Sequence, residues 1–527
     1  MSISGSWSKA VPCAASSIAP KILSSFLVVD HDKPRPSWNG LGQRNVCKAS
    51  VSIAIWIGLI SFFNVTIGVC PKLAYMMGAP LEALFLLGWG MAERSDSEMQ
   101  EEEDLPGLKA TTPVERRRAF GILFVCLLSL GMGQSLFFAV LPPIARELGM
   151  SEFETTMIFS LSALLWTLTS AFWGSRSDLV GRKPIILMGL IGFGVSTLGF
   201  ALVVMVGLWG WVSLALMFPL LISVRAIFGT FGSGTMPAAQ AYVADRTSRA
   251  ERASGVASIG AAFGMGTVVG PGFAAALATL HILAPFFAVS ALAFGGAFFI
   301  WLLLPERTTP RSKLAERQKQ KRRLKLTDPR VLPWLVLGVV LSLGQSITMQ
   351  LVAFYYMDTF NVEGDEATQL VSVGLMAMAM STIFAQMVLI QRFDLSVQFL
   401  LRVGAAVMIG SFGILIVANS YGLFVSSLAL AGVGFGLLRP GLMAGASLSV
   451  SPRDQGAIAG LIGSTAATGH ILNPAIGIPL FYWMPQAPFI LAMGLMAVIL
   501  LMALFHPTIS SIQANVDEDE DAELHPH

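Results

Sequence analysis

Apolar residues in this chain come in long unbroken runs, separated by short polar breaks. From Phe120 onward the runs recur regularly: Phe120–Leu141, then near 155–173, 184–208, 211–240, 253–277, 282–304, 332–357, 369–390, 397–418, 422–447, 456–480 and 487–506. Each approaches or exceeds the roughly 20 residues that a helix needs to cross a bilayer. The runs are continuous, not alternating with period two, so the expected spans are helices and not barrel strands. About twelve spans are predicted, with ends placed to within several residues. Residues 1–90 depart from this rhythm. A polar stretch, Met1–Ser50, precedes two apolar runs, Val51–Val69 and Leu73–Met91, with only Cys70-Pro71-Lys72 between them and Glu82 inside the second. They read as extra spans, as a signal-like anchor, or as an extension upstream of a natural start at Met91; we favour the last.

The polar breaks alternate in charge. One set holds Arg116–Arg118, Arg176, Arg182, Lys183, Arg246, Arg249, Arg252, the run from Arg307 to Arg330, Arg392, Arg402 and Arg453. The other holds Glu147, Glu152, Glu154, Asp358, Glu363, Asp365 and Glu366, with Arg146 nearly its one base. By the positive-inside rule the first set is cytoplasmic, which places both core termini there and requires an even helix count. The expected location is a bacterial inner or other plasma membrane, crossed many times.

The 527 residues are 54% hydrophobic and 13% charged, with mean hydropathy +0.69; a soluble protein carries about a quarter charged residues. The four cysteines, Cys13, Cys47, Cys70 and Cys126, have no metal or redox spacing. With no nucleophile motif, metal cluster or phosphate loop, we expect no enzyme, no cofactor, no metal and no nucleic-acid partner.

The expected organisation is an N-terminal extension (1–90), a cytoplasmic tail (91–119), a six-helix bundle (120–306), a basic linker (307–331), a second bundle (332–506) and an acidic tail (507–527). The linker reads as an amphipathic segment held by anionic inner-leaflet lipid. A shift of about 203 residues brings Gly229 onto Gly432, Pro237 onto Pro440, Gly260 onto Gly463, Gly266 onto Gly469 and Pro271 onto Pro474. Such a repeat suits two parallel halves around a cavity.

Three stretches carry candidate chemistry. The break Gly174-Ser-Arg-Ser-Asp178-Leu-Val-Gly181-Arg182-Lys183 is expected as a surface loop. Its glycines allow a turn or close approach, and Asp178 can pair with Arg182 or accept from a helix N-terminus. It reads as a latch between bundles or as a plain solvated turn. In the fourth span, Arg225, Gly229, Gly232 and Met236 share a face, and an arginine there needs a cavity or a partner. The fifth span reads Gly260-Ala-Ala-Phe-Gly264-Met-Gly266-Thr-Val-Val-Gly270-Pro271-Gly272, a pattern for close packing and a bend.

These stretches resemble motifs of the major facilitator superfamily. The break matches the G-x-x-x-D-x-x-G-R-K loop between its second and third helices. Arg225 and Gly229 match the fourth-helix R-x-x-x-G. Gly266, Gly270 and Pro271 match the fifth-helix G-x-x-x-G-P-x-x-G of exporters, with Ala274 in place of the last glycine. The resemblance covers Phe120 to about Pro507 and is nearest the twelve-helix drug:proton antiporters of the tetracycline-resistance type. Leu141-Pro142-Pro143-Ile144 at the end of the first helix and Pro305-Glu306 after the sixth fit that group. It implies an all-α membrane protein of the major facilitator fold, two six-helix bundles around a central cavity. It implies alternating access, with Gly174, Asp178, Gly181, Arg182 and Lys183 gating, Arg225 charging the cavity, and Gly266, Gly270 and Pro271 shaping an interface helix.

One departure matters. Many such antiporters carry a buried acid in the first helix, where this chain has Gln134, and no Asp or Glu falls at mid-membrane depth in the twelve spans. Asp178 or His470 would then carry a proton, or none is carried. The other reading of His470, which we favour, is a hydrogen-bonded polar residue. Gln134 and Phe138 share a face of the first helix, and Gln345, Met349, Val352 and Tyr356 share one of the seventh. Such a lining suits an amphipathic small molecule, though each residue could equally be ordinary packing. Arg439 reads as a cytoplasmic-end anchor or a second cavity charge; we favour the anchor. The expected function is export of amphipathic drugs or metabolites in exchange for protons, by a monomer. The alternatives are import or facilitated movement of a nutrient and, remotely, a membrane receptor or enzyme.

Overall fold

The computed structural model describes residues 113–247, 252–306, 326–393, 395–451 and 454–510. The extension 1–90, most of the tail 91–119, linker residues 307–325, Arg249, Arg453 and residues 511–527 lie outside the described residues. Twelve long helices follow in order: α1 Pro113–Glu147, α2 Glu152–Val180, α3 Arg182–Leu208, α4 Leu214–Ala244, α5 Arg252–Ala278, α6 Ala284–Leu303, α7 Leu332–Phe360, α8 Gly364–Phe393, α9 Val397–Ile416, α10 Tyr421–Leu448, α11 Gln455–Trp483 and α12 Ala487–Phe505. Eleven are long and apolar enough to cross a membrane. The twelfth, α11, has 29 residues but carries Ser464, Thr465, Thr468, His470 and Asn473, for a reason that appears in the cleft.

Local chemistry sets the ends. Ser151 caps α2 in a reciprocal box with Glu154, satisfying two of the first turn's orphan donors. Ser396 and Ser420 cap α9 and α10, and prolines open α6, α7 and α12, where a missing N–H costs nothing. Asn361 ends α7 in the left-handed conformation, at φ 51°. The first helix does not stop at Leu141-Pro142-Pro143-Ile144 as expected. It runs through both prolines to Glu147, because that stretch is fully buried and packed neighbours hold it helical despite the lost hydrogen bonds.

The two halves repeat the same packing. In the first, α1 lies on α5, α2 on α4 and α3 on α6; in the second, α7 lies on α11, α8 on α10 and α9 on α12. Glycines matched by the sequence repeat sit at matched crossings. A Cβ on Gly266 would strike the α1 backbone at Leu128 and Met132, and one on Gly469 the α7 backbone at Ser342 and Leu343. Gly229 lies against Ser162 of α2, and Gly432 against Met378 of α8. The Thr169 hydroxyl donates to the Gly229 carbonyl at 3.3 Å and the Thr382 hydroxyl to that of Gly432 at 3.0 Å.

Between halves, α1 packs on α7 and α8, α2 on α11, and α5 on α8. These contacts gather toward the face that carries the α1–α2 loop. There Arg146 pairs with Asp358 at 2.5 Å, the Phe153 amide donates to the Tyr482 hydroxyl at 3.3 Å, and Gly272 meets Met376. On the stretches of α5 and α11 nearer the opposite face, Gly260, Gly264, Gly460 and Gly463 have no neighbour within 4 Å of where a Cβ would stand. The halves therefore meet on one face and part on the other.

Candidate functional site

The Gly174–Lys183 stretch is not a loop. Helix α2 continues to Val180, and one residue, Gly181, separates it from α3. Gly181 has φ +109°, and a Cβ there would collide with the Glu306 carboxylate, so only glycine fits. Arg182 is the hub: its side chain is 10% exposed and pairs with Asp178 at 2.6 Å and Asp245 at 3.2 Å. It also donates to the Ser177 hydroxyl at 2.6 Å. Lys183 donates its amide to Glu306 at 3.1 Å and its ammonium to the Trp301 carbonyl at 2.8 Å. The Glu306 carboxylate thus caps α3 from the end of α6. Burial lifts its carboxyl above the usual range, while the Lys183 and Arg182 amides and Arg246 pull the other way. A Cβ on Gly174 would stand an ordinary 3.8 Å from Pro237 of α4, so nothing here demands glycine at that position. These partners all belong to the first half, and the cluster ties α2, α3, α4 and α6 together.

Deeper in, the cleft is built around α11. The Asn473 amide donates to the Gln350 carbonyl oxygen at 2.8 Å, and the Gln350 amide lies 2.9 Å from His470 Nδ1. The Ser346 hydroxyl is 3.2 Å from the same nitrogen. With Gln350 oriented by Asn473, Nδ1 must accept, and Nε2 carries the ring proton. From the other half, the Ser160 hydroxyl donates to the His470 carbonyl at 2.5 Å. Phe138 stacks on the His470 ring at 5.9 Å and on Phe159 at 4.8 Å. Gln134, one turn before Phe138 on α1, leaves its carbonyl oxygen without a partner. This half-polar stripe is why α11 is the least apolar helix.

Arg225, Tyr356, Val352 and Arg439 sit elsewhere than expected or more deeply. Arg225 does not face the open cleft. It is 3% exposed, held inside the first half with its guanidinium 4.0 Å from the Phe137 ring centre and 4.5 Å from that of Phe228. Its Nε and Nη1 have no hydrogen-bond partner. Tyr356 leaves the group of Gln345 and Met349: it is 2% exposed, packed among Phe360, Tyr421 and Phe424. Val352 is fully buried as well. At Tyr356 the last turns of α7 are enclosed by rings of α7 and α10, within the second half itself. Arg439 is no end anchor. It stands exposed on α10, with Nη1 3.4 Å from the Gln345 carbonyl oxygen.

On the interface helix, Gly270 would strike Ser135 and Met132 of α1 if given a Cβ, as Gly266 would strike Leu128. The glycines before the buried Pro271 therefore seat α5 on its own half, while Gly272 just after it meets the other. Sequence reasoning missed Gln350, Asn473, Asp245 and Glu306. Gln350 and Asn473 were visible as amides inside apolar runs; the two acids stand at the ends of α4 and α6, where nothing in the spacing pointed to α3.

The ion pair joining the halves is testable. Arg146 and Asp358 are each about 30% exposed, so their pairing contributes about 1 kcal/mol or less. Asp358→Asn is expected to raise labelling of a Ser160→Cys protein by an impermeant thiol reagent a few-fold from the α1–α2 face. Unchanged labelling would show that the pair does not hold that face shut.

A family model described as Major Facilitator Superfamily matches residues 123–472. The chain is 27% identical over 392 residues to Multidrug resistance protein 2 of Bacillus subtilis, covering 72% of this chain and 92% of that protein. It is 25% identical over 384 residues to Quinolone resistance protein NorA of Staphylococcus aureus, covering 71% and 92%. Among solved structures, it is similar to the human organic anion transporter MFSD10 (TETRAN), with TM-score 0.52, 20% identity and coverage of 74% and 99%. It is also similar to a bacterial homologue of the human lysosomal transporter Spinster in an inward-facing, occupied conformation, with TM-score 0.56, 14% identity and coverage of 76% and 95%.

Proposed function

Because the chain belongs to the Major Facilitator Superfamily, we propose that it exports amphipathic small molecules through the cleft between its halves, by alternating access. One observation carries this reading: two repeat-related halves meet on the Arg146–Asp358 face and part on the other, with the polar stripe of α11 at the point of closure. A cleft open to one side and sealed at the other is one of the two states that alternating access requires. Export is supported by the relatives, a multidrug and a quinolone resistance protein. The basic turns, Arg176, Arg182, Lys183, Arg246 and Arg392, put the open face in the cytoplasm, so the cleft loads from inside a plasma or bacterial inner membrane. Asp178, Gly181, Arg182 and Lys183, with Gly174, form the cytoplasmic gate. The protein works as a monomer, its basic linker on anionic inner-leaflet lipid.

On α1–α12 the described carboxylates, Glu115, Glu147, Glu152, Glu154, Asp178, Asp358, Asp365 and Glu366, all stand near helix ends. That favours one second reading, exchange or facilitated movement of a metabolite without a proton. The experiment is accumulation of fluorescent amphipathic compounds in efflux-deficient cells, with and without a protonophore. Proton-driven export lowers accumulation several-fold, and the protonophore restores it. Lower accumulation that ignores the protonophore favours exchange, and no change across a broad panel refutes export.

A further inference from the structure

Among the described residues, membrane-embedded charge is all of one sign. Arg225 lies 11 residues, about 17 Å of helix, inside the start of α4, and Arg439 lies nine residues, about 14 Å, from the end of α10 at Leu448. Among the described residues no carboxylate stands at comparable depth. A cation inside a membrane protein ordinarily has an anion or a ring of carbonyls for company. Here Arg225 has two aromatic faces and two nitrogens with no acceptor. Arg439 has one long contact, to the neutral Gln345 of α7, and is otherwise exposed.

Resting on the transport reading above, we propose that the substrate is an organic anion, an amphipath bearing a carboxylate or sulfonate, whose charge supplies the counter-ion that the site lacks. Arg439 is the contacting cation. Its planar fork presents paired N–H donors that match a carboxylate or sulfonate. His470 lies within electrostatic reach of it, and the Asn473–Gln350 chain turns the ring so that Nε2–H is a donor. Phe138, stacked on that imidazole, offers an aromatic surface for the apolar body of the same ligand. Arg225 acts without touching. Its cage wall, Phe137, is the chain neighbour of Phe138, so the buried charge stands one side chain behind the cleft wall. In low dielectric it raises the potential there and disfavours cations. An anion bound there compensates one of the two embedded positive charges when the halves close over it.

The test uses the full chain in sealed proteoliposomes, with carboxyfluorescein as the anionic probe and ethidium as the cationic one. Carboxyfluorescein should move at least tenfold faster than in protein-free vesicles and ethidium should not. Arg439→Gln should remove most of that rate, and Arg439→Lys should keep part of it. Carboxyfluorescein should also raise the melting temperature of the purified protein, and Arg439→Gln should abolish the rise without lowering the ligand-free value. Ethidium moving in preference to carboxyfluorescein overturns the anion inference and leaves export standing. Movement of neither dye, with no shift in melting temperature, overturns the transport reading and this inference with it. Anion transport indifferent to Arg439→Gln overturns the assignment of that residue.

Discussion

Gly266→Val is expected to remove most folded protein and with it all transport, and Gly469→Val is expected to do the same from the other half. Both glycines sit where two helices of one bundle cross with backbones in contact. A valine there does not press on a side chain that can swing away; it presses on Leu128 and Met132 of α1, or on Ser342 and Leu343 of α7. Overpacking a core costs about 1–3 kcal/mol when side chains can adjust. Parting two backbones costs more, because the whole crossing must separate and its contacts are lost together. A penalty of about 3 kcal/mol or more lowers the folded ratio at least a hundredfold, at roughly 1.4 kcal/mol per factor of ten. The structure supplies matched controls on the same helices. Gly264 on α5 and Gly463 on α11 look onto open space, so Gly264→Val and Gly463→Val should leave folded yield within about twofold. The readout is the monodisperse peak of a fluorescent fusion in detergent. Equal yields for all four variants would refute the close crossings, and a loss confined to one half would refute the repeat.

The second large effect separates function from folding within one cluster. Asp178→Asn keeps the shape of the side chain, and Arg182 retains Asp245 and Ser177 as partners. Folded yield should stay near that of the unaltered protein, while transport falls tenfold or more if Asp178 must change partners as the halves rock. Arg182→Ala should behave differently. Removing the hub leaves Asp178 and Asp245 near one another without their shared cation. Its cost lies between the 0–1 kcal/mol of an exposed pair and the roughly 3–5 kcal/mol of a fully buried one, and should appear as lost yield. Transport and yield falling in proportion for both variants would mean that the cluster is a structural tie and not a gate.

The twelve spans were legible because a bilayer reduces the problem to one variable, the length of unbroken apolar sequence. The repeat was legible because Gly266 and Gly469, or Gly229 and Gly432, must stay small to keep equivalent crossings. Helix ends were less so: Pro142 and Pro143 read as a stop, and only the burial around them shows why they are not. The Gly174–Lys183 stretch read as a loop because charge at a membrane surface looks the same in a loop and in the last turns of a helix. What separates the two is a single backbone angle at Gly181. Arg225 was recognised as costly, but its aromatic cage was not foreseen, since helical spacing gives the face of α4 and not which neighbour covers it. The Gln350–His470–Asn473 chain was out of reach for a different reason. It joins α7 to α11 across 120 and 123 residues of sequence, and no local pattern encodes a partner that far away.

The Glu306 cap on α3 has a consequence in time. The Lys183 amide and the carboxylate that receives it are 123 residues apart. At roughly 5–20 residues per second of synthesis, about 6–25 seconds separate the emergence of the two. For that interval the third helix stands in the nascent chain with its first turn answered only by water and lipid headgroups. The turn that opens α3 is therefore finished by the sixth helix, and the first half-transporter matures as a unit only when its last residue arrives.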